Sequence, residues 1–308
     1  AERSVIWEFY LKKWQKELGI DEKELIQYLD IFPARYVLTP GSIKNSVEDA
    51  VLQMQGEALD KTDFDMLNEA CHRQLGHTLK KDAVKISTIH NFEDLVLPAA
   101  QKRLLRDAVN RVRYWTQVFD EWGFHKKIAY GKGTSMIFYG PPGTGKTMGA
   151  QVLAKELGLE LYKVDMAKVM SKYVGESEKK LGEIFEQGRK SQSILFFDEA
   201  DVLFGKRSEV KDSQDKYANA STAYLLQKIE EYEGVIILAT NLLQNFDVAF
   251  MRRFQFVIEF PFPDVDQRLE IWEHVFPKQL PVEDLDYVFL ASQFKLTGSQ
   301  IKNIALAF

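Results

Sequence analysis

Lys146 and Thr147 close an eight-residue run, Gly140-Pro141-Pro142-Gly143-Thr144-Gly145-Lys146-Thr147. The run fits the G-x-x-x-x-G-K-S/T phosphate-binding pattern. Glycines at 140, 143 and 145 remove Cβ atoms, so successive backbone N–H groups can turn inward around an anion. Lys146 would place its charge on the β- and γ-phosphates of ATP, and the Thr147 hydroxyl would join the shell of a Mg²⁺ ion. The residues expected against the nucleotide are Pro142, Gly143, Thr144, Gly145, Lys146, Thr147 and Met148. The helix that follows would aim its positive end at the phosphates.

Two acids complete this chemistry. Ser193-Ile194-Leu195-Phe196-Phe197 runs into Asp198-Glu199-Ala200-Asp201. Carboxylates at the tip of an apolar strand are costly unless they do something. Beside a phosphate loop, Asp198 would hold Mg²⁺ directly or through water. Glu199 would polarise the water that attacks the γ-phosphate. Val235–Thr240 is another apolar run, and it ends in Asn241. That amide both donates and accepts, which suits orienting a water. Arg252 and Arg253 follow. Adjacent arginines before a strand are either plain surface charge or fingers inserted into a neighbouring subunit's site.

The elements that must carry these residues are legible. Apolar runs predict strands near 136–139, 160–164, 193–198, 235–240 and 255–260. Met148–Leu157 has helical spacing and stops at Gly158. Strand, glycine-rich loop, helix is the order the phosphate-binding motif requires. The class is therefore α/β.

A chain of 308 residues has room for such a core plus one or two smaller modules. A net charge of −5 weighs against a nucleic-acid partner. The densest basic stretch, Lys102 to Arg113, alternates with Leu104, Leu105, Val109 and Val112 and reads as a solvated helix face. No apolar run has transmembrane length, so no membrane is expected. Cys71 is the sole cysteine, which excludes an intrachain disulfide and, with an ATP site, favours the cytoplasm. His72 and His77 beside it do not have zinc spacing. The sequence starts at Ala1, as an excised or processed piece would.

Taken together, the motifs resemble those of AAA+ ATPases: Walker A at 140–147, Walker B at 194–201, a sensor Asn241 and paired arginines at 252–253. The resemblance covers roughly residues 86–308. It implies a P-loop core with a five-stranded parallel sheet in the order 5-1-4-3-2, followed by a helical lid truncated at Phe308. It also implies that Phe92–Val96 reads adenine, through Asp94, Leu95 and Val96, although the family's usual glycines are absent after this segment. Gly298 and Ser299 would pack near the adenine and ribose, and the lid lacks the sensor arginine of DNA-loading members. Ser171–Glu178 is similar to the first pore loop of protein-remodelling members, in which Lys172, Tyr173 and Val174 would grip a polypeptide. Arg252-Arg253-Phe254 is similar to the katanin and spastin group. Runs at 205–212, 216–219 and 226–234 resemble bacterial tandem AAA+ ATPases, some of them encoded with contractile injection systems.

An internal repeat bears on the first 80 residues. Arg3–Glu8 matches Arg268–Glu273 at four of six positions, and Leu38–Asn45 matches Leu296–Asn303 at five of eight. Repeats in the same order suggest a duplicated unit. The expected organisation is a helical module over 1–80 resembling the lid of a preceding AAA+ unit, a core over 81–265 and a partial lid over 266–308. Trp7 and Trp272 are expected at equivalent buried positions.

The function implied is ATP hydrolysis that remodels or unfolds a protein or protein assembly through a ring, expected to be a hexamer. The alternative is an ATP-switched assembly factor or scaffold for a large complex, such as a contractile injection particle, without threading. A nucleic-acid motor using the basic face is the third reading. Stimulation by peptide favours the first, stimulation only by an assembled partner the second, and salt-sensitive DNA binding the third.

Overall fold

The computed structural model describes residues 2–36, 38–54, 62–75, 83–115, 117–127, 132–169, 175–201, 213–246, 248–277, 280 and 284–307. It divides into two compact units, residues 1–81 with 186–192, and residues 82–185 with 193–308.

The first unit is helical: α1 (Glu2–Lys13), α2 (Gln15–Leu18), α3 (Glu22–Arg35), α4 (Pro40–Met54) and α5 (Asp63–Leu75). Local chemistry sets the boundaries. Gly19 takes a left-handed conformation that ends α2. Asp21 opens α3 through a reciprocal capping box with Glu24, both bonds being 2.8 Å. Trp7, Leu11, Phe32, Tyr36, Ile43, Val47 and Leu67 form the centre of its core and are fully buried. Tyr28 donates to Asp63 at 2.6 Å, tying α3 to the start of α5.

The second unit contains β1 (Ala83–Ile86), α6 (Ala99–Arg113), β2 (Thr134–Tyr139), α7 (Lys146–Leu157), β3 (Leu161–Asp165), α8 (Met166–Val169) and β4 (Ile194–Asp198). It continues with α10 (Ser213–Glu231), β5 (Val235–Thr240), α11 (Val248–Met251), β6 (Phe256–Glu259), α12 (Val265–Val275), α13 (Tyr287–Gln293) and α14 (Gly298–Ala307). Helix α9 (Glu176–Ser191) begins in this unit and ends among residues assigned to the first.

The sheet runs β1-β3-β4-β5-β2-β6. Its five parallel strands, β6-β2-β5-β4-β3, have the expected order. The expected count of five is corrected to six, because β1 pairs antiparallel with β3 at the edge. Ala83-Val84-Lys85-Ile86 gave no signal: the strand has four residues, and both Val84 and Lys85 face solvent, so no alternation marks it. By contrast β2 and β5 are buried almost throughout, as parallel strands covered on both faces must be. On α6, Leu105, Ala108 and Val109 pack inward while Arg103 and Arg106 face solvent, as a solvated basic face requires. No helix among the described residues is long and apolar enough to cross a membrane.

Candidate active site

Parallel strands deliver their C-terminal ends to one side of a sheet, and open α/β folds bind ligands there. The register pairs Tyr139 with Thr240 and Phe197 with Leu238. Gly140 after β2, Asp198 at the end of β4 and Asn241 after β5 therefore arrive together.

The loop geometry explains its glycines. Gly140 has φ +142°, and a Cβ there would lie 2.1 Å from the Phe260 carbonyl oxygen. Gly143 has φ +78°, and a Cβ would meet Thr297 Oγ1 at 2.7 Å. The start of α14 lies directly over the loop, with the Ser299 N–H donating to the Gly143 carbonyl at 3.1 Å. A Cβ on Gly298 would be 3.7 Å from the same oxygen. Thr297 caps α14, accepting from the Gln300 N–H, while Gln300 Oε1 accepts from the Thr297 N–H at 2.8 Å. From the other side, Leu95 is buried and its Cδ1 would be 3.8 Å from a Cβ on Gly145. Asp94 faces solvent and accepts from the Asn91 N–H at 2.7 Å, and Val96 is half-buried.

Lys146 is the electrostatic centre. Its residue is only 8% exposed, and Nζ donates to the Gly140 carbonyl at 2.7 Å, the Pro141 carbonyl at 2.8 Å and Asn241 Oδ1 at 2.8 Å. Burial lowers its pKa, and the Asp198 and Asp201 carboxylates act in the opposite direction. The Lys146 ammonium and the Asn241 amide are thus one hydrogen-bonded unit. Thr144 Oγ1 donates to the Pro141 carbonyl at 2.9 Å; Pro142 is exposed, and Thr147 and Met148 are half-buried at the head of α7.

On the acidic side, Asp198 Oδ1 accepts from the Glu199 N–H at 3.0 Å, and Oδ2 accepts from Lys163 Nζ at 2.6 Å. Lys163 sits opposite Phe196 in the β3–β4 register, two residues short of Asp198, so it reaches the acid diagonally. Glu199 is exposed and has φ +53°, a left-handed conformation that is unfavourable for a residue with a side chain. Such outliers concentrate at functional sites. Asp201 Oδ1 accepts from Thr240 Oγ1 at 3.1 Å and from the Asn241 N–H at 3.3 Å. It ties the acidic turn to the strand end that carries Asn241.

These residues fit a magnesium–triphosphate group. Side chains at 140 and 143 would collide with Phe260 and Thr297 and force this loop out of shape, a buried ammonium lies inside it, and a hydroxyl and a carboxylate stand beside it. Thr147 and Asp198 are the residues that would offer oxygens to an ion, with the phosphates supplying others. Lys163, Asp201 and Thr297 escaped the sequence reading. Asp201 stood in the acidic run, but its target is set by the β4–β5 pairing; Lys163 was one charge in a short strand that follows Glu160 and ends in Asp165.

Arg252 and Arg253 lie at the other end of the sheet. Ser135, at the start of β2, donates to the Arg253 carbonyl at 2.8 Å, and the Gln255 N–H donates to the Ser135 carbonyl at 3.0 Å. The phosphate loop leaves the far end of β2, about 17 Å away for a six-residue strand. Arg253 pairs with Glu230 of α10, and Arg252 is exposed. A cleft of about 500 Å³ opens here, lined by Ser135, Glu230, Tyr232 and both arginines among others. It is remote from the phosphate loop and is not where nucleotide phosphates would sit. Lys172, Tyr173 and Val174, and the 205–212 run, lie outside the described residues.

Residues 136–262 match the family model described as ATPase family associated with various cellular activities (AAA). An uncharacterized AAA family ATPase of Sinorhizobium fredii, y4kL, is 36% identical over 180 residues, covering 58% of this chain and 52% of its own. A proteasome-activating nucleotidase of Saccharolobus solfataricus is 34% identical over 215 residues, covering 67% of this chain and 53% of its own. A cell division cycle protein 48 homolog of Archaeoglobus fulgidus is 35% identical over 205 residues, covering 65% of this chain and 27% of its own. The chain spans about half the length of the first two relatives.

Proposed function

Because residues 136–262 form an AAA ATPase domain, we propose that the chain hydrolyses Mg·ATP and that the full-length protein uses this to remodel a protein or protein assembly as a ring, expected to be a hexamer. The observation that carries the ATPase reading is the single hydrogen-bonded unit of Lys146, Asn241 and Asp201 beside Asp198 and Glu199.

In this reading Lys146 exchanges its loop carbonyls for phosphate oxygens. Thr147 and Asp198 would hold the ion, whose charge would offset that building on those oxygens. Glu199, projecting from its left-handed turn, accepts the proton of the attacking water. Asn241, fixed by Asp201, orients that water. Loss of a general base costs about 10²–10⁴ in rate. In this reading Arg252 and Arg253, a strand's length from their own phosphate loop, serve another subunit's site. A finger in trans contributes about 10³–10⁵ in rate. The names of the proteasome-activating and cell-division-cycle relatives support a protein substrate, and Lys172–Val174 are the proposed grip.

The test combines two variants. Glu199→Gln should keep ATP affinity and lose turnover, because an amide cannot take the proton. Arg252→Ala should keep binding, lose turnover, and regain part of it when mixed with Lys146→Ala. Wild-type turnover by Glu199→Gln refutes the base. An assembled ring whose activity survives loss of both arginines refutes the trans arrangement. Stimulation by an assembled partner but never by polypeptide would move the reading to an assembly factor.

A further inference from the structure

The helical unit repeats the lid in more than sequence. Trp7 on α1 and Trp272 on α12 are 0% and 2% exposed, and the indole Nε1 of each is buried without a hydrogen-bond partner. Helix α1 packs on α3 and α4; α12 packs on α13 and α14. At the end of α3 the Tyr36 N–H donates to the Phe32 carbonyl at 2.9 Å; at the end of α13 the Phe294 N–H donates to the Leu290 carbonyl at 3.2 Å. The next helices start identically. Thr39 accepts from the Ser42 N–H at 3.2 Å, and Thr297 from the Gln300 N–H at 3.4 Å. The Ile43 N–H reaches the Thr39 carbonyl at 2.9 Å, and the Ile301 N–H the Thr297 carbonyl at 3.0 Å, both isoleucines being fully buried. The tryptophans are 265 residues apart, and every pair from Phe32 and Leu290 onward is 258 apart, the difference of seven falling where α3 outruns α13. Two differences stand: α3 is twice as long as α13. Arg268 is buried, donating to Pro263 and Ala291, whereas Arg3 is exposed.

The two turns differ in what covers them. Residues 297–299 carry the phosphate loop of β2–α7: Ser299 donates to Gly143, and Thr297 lies against it. The equivalent Thr39, Pro40 and Gly41 are exposed, and a Cβ on Gly41 would meet nothing within 4 Å. The Gly41 N–H is the counterpart of the Ser299 N–H that reaches the loop. We infer that the Thr39–Gly41 turn is the seat of a second phosphate-loop core, carried on the natural polypeptide ahead of α1. A second copy of this chain does not suit, because its 140–147 loop already carries its own Thr297 and Ser299. The order follows from the repeat, since here the core strand β6 leads into α12. The inference does not depend on turnover at Glu199.

The test is photo-crosslinking in the full-length natural protein. A benzophenone amino acid is placed in turn at Pro40 and at Gly41, both exposed, and the adducts are sequenced by mass spectrometry. The same reporter at Ser299 should capture the peptide containing residues 140–147. The expected result at 40 and 41 is a peptide with a different G-x-x-x-x-G-K-S/T run, at least about tenfold above the yield from exposed Ile26. No adduct above that background, a peptide without such a run, or capture of residues 140–147 would each overturn the proposal. A wild-type circular dichroism spectrum for the variants shows that the helical module is folded.

Discussion

Gly149 sits inside α7, where alanine should help. Glycine in a helix interior is about 1 kcal/mol worse than alanine. A Cβ at this site, however, would lie 2.6 Å from Phe260 Cζ, 2.9 Å from its Cε1 and 3.5 Å from Phe138 Cε2. Both phenylalanines are fully buried, with ring centroids 4.9 Å apart, so the Phe260 ring has no free direction in which to swing. Overpacking of this kind costs about 1–3 kcal/mol. With a backbone-anchored ring at 2.6 Å the clash is at the upper end of that range, and Gly149→Ala should destabilise the core by up to about 2 kcal/mol net. For a unit of this size that lowers Tm by up to about 8 °C in a thermal scan. Because α7 begins at Lys146, a shifted helix should also weaken ATP binding. Phe260→Leu removes the opposing atoms, so the double variant should lose at least about 1 kcal/mol less than the two single losses added. An unchanged or raised Tm for Gly149→Ala, or full additivity in the double variant, would refute the reasoning.

Three further outcomes are expected. Asp201→Ala removes the acceptor of the buried Thr240 hydroxyl and of the exposed Asn241 N–H; at about 1–3 kcal/mol for the one buried partner lost, turnover should fall about tenfold, with ATP affinity nearly unchanged in a fluorescent-nucleotide titration. Lys163→Met frees one oxygen of Asp198; the pair is partly exposed and worth at most about 1 kcal/mol, so the Mg²⁺ concentration that half-slows nucleotide release should fall by only a few fold. Burial lowers the pKa of Lys146 below its ordinary 10.5, so between the two values the unfolded chain binds more protons and the folded state gains stability as pH rises. Lys146→Met should therefore lose part of the nucleotide-free stability gain that accrues as the pH rises towards 10.5, read by chemical denaturation at each pH.

The nucleotide chemistry was legible in the linear chain because its parts are contiguous. Gly140–Thr147 need one turn, and Asp198-Glu199 need one strand end, so residue type and spacing suffice to read them. The buried strands were legible for a similar reason: strands covered on both faces are written as unbroken apolar runs. Strand β1 was not, since four edge residues with two side chains in solvent leave no pattern. The partners that position the chemistry were also out of reach. Lys163 meets Asp198 only because β3 and β4 pair in one register. Asp201 meets Asn241 only because β4 and β5 lie side by side. Thr297 and Ser299 meet Gly143 across more than 150 residues of chain. Arg252 and Arg253 were visible as residues, but the strand direction of β2 alone puts them away from their own phosphate loop. The sequence determined which groups can do chemistry, through local backbone and side-chain type. The tertiary structure decided which of them touch, because strand order and register are set by packing of the whole sheet.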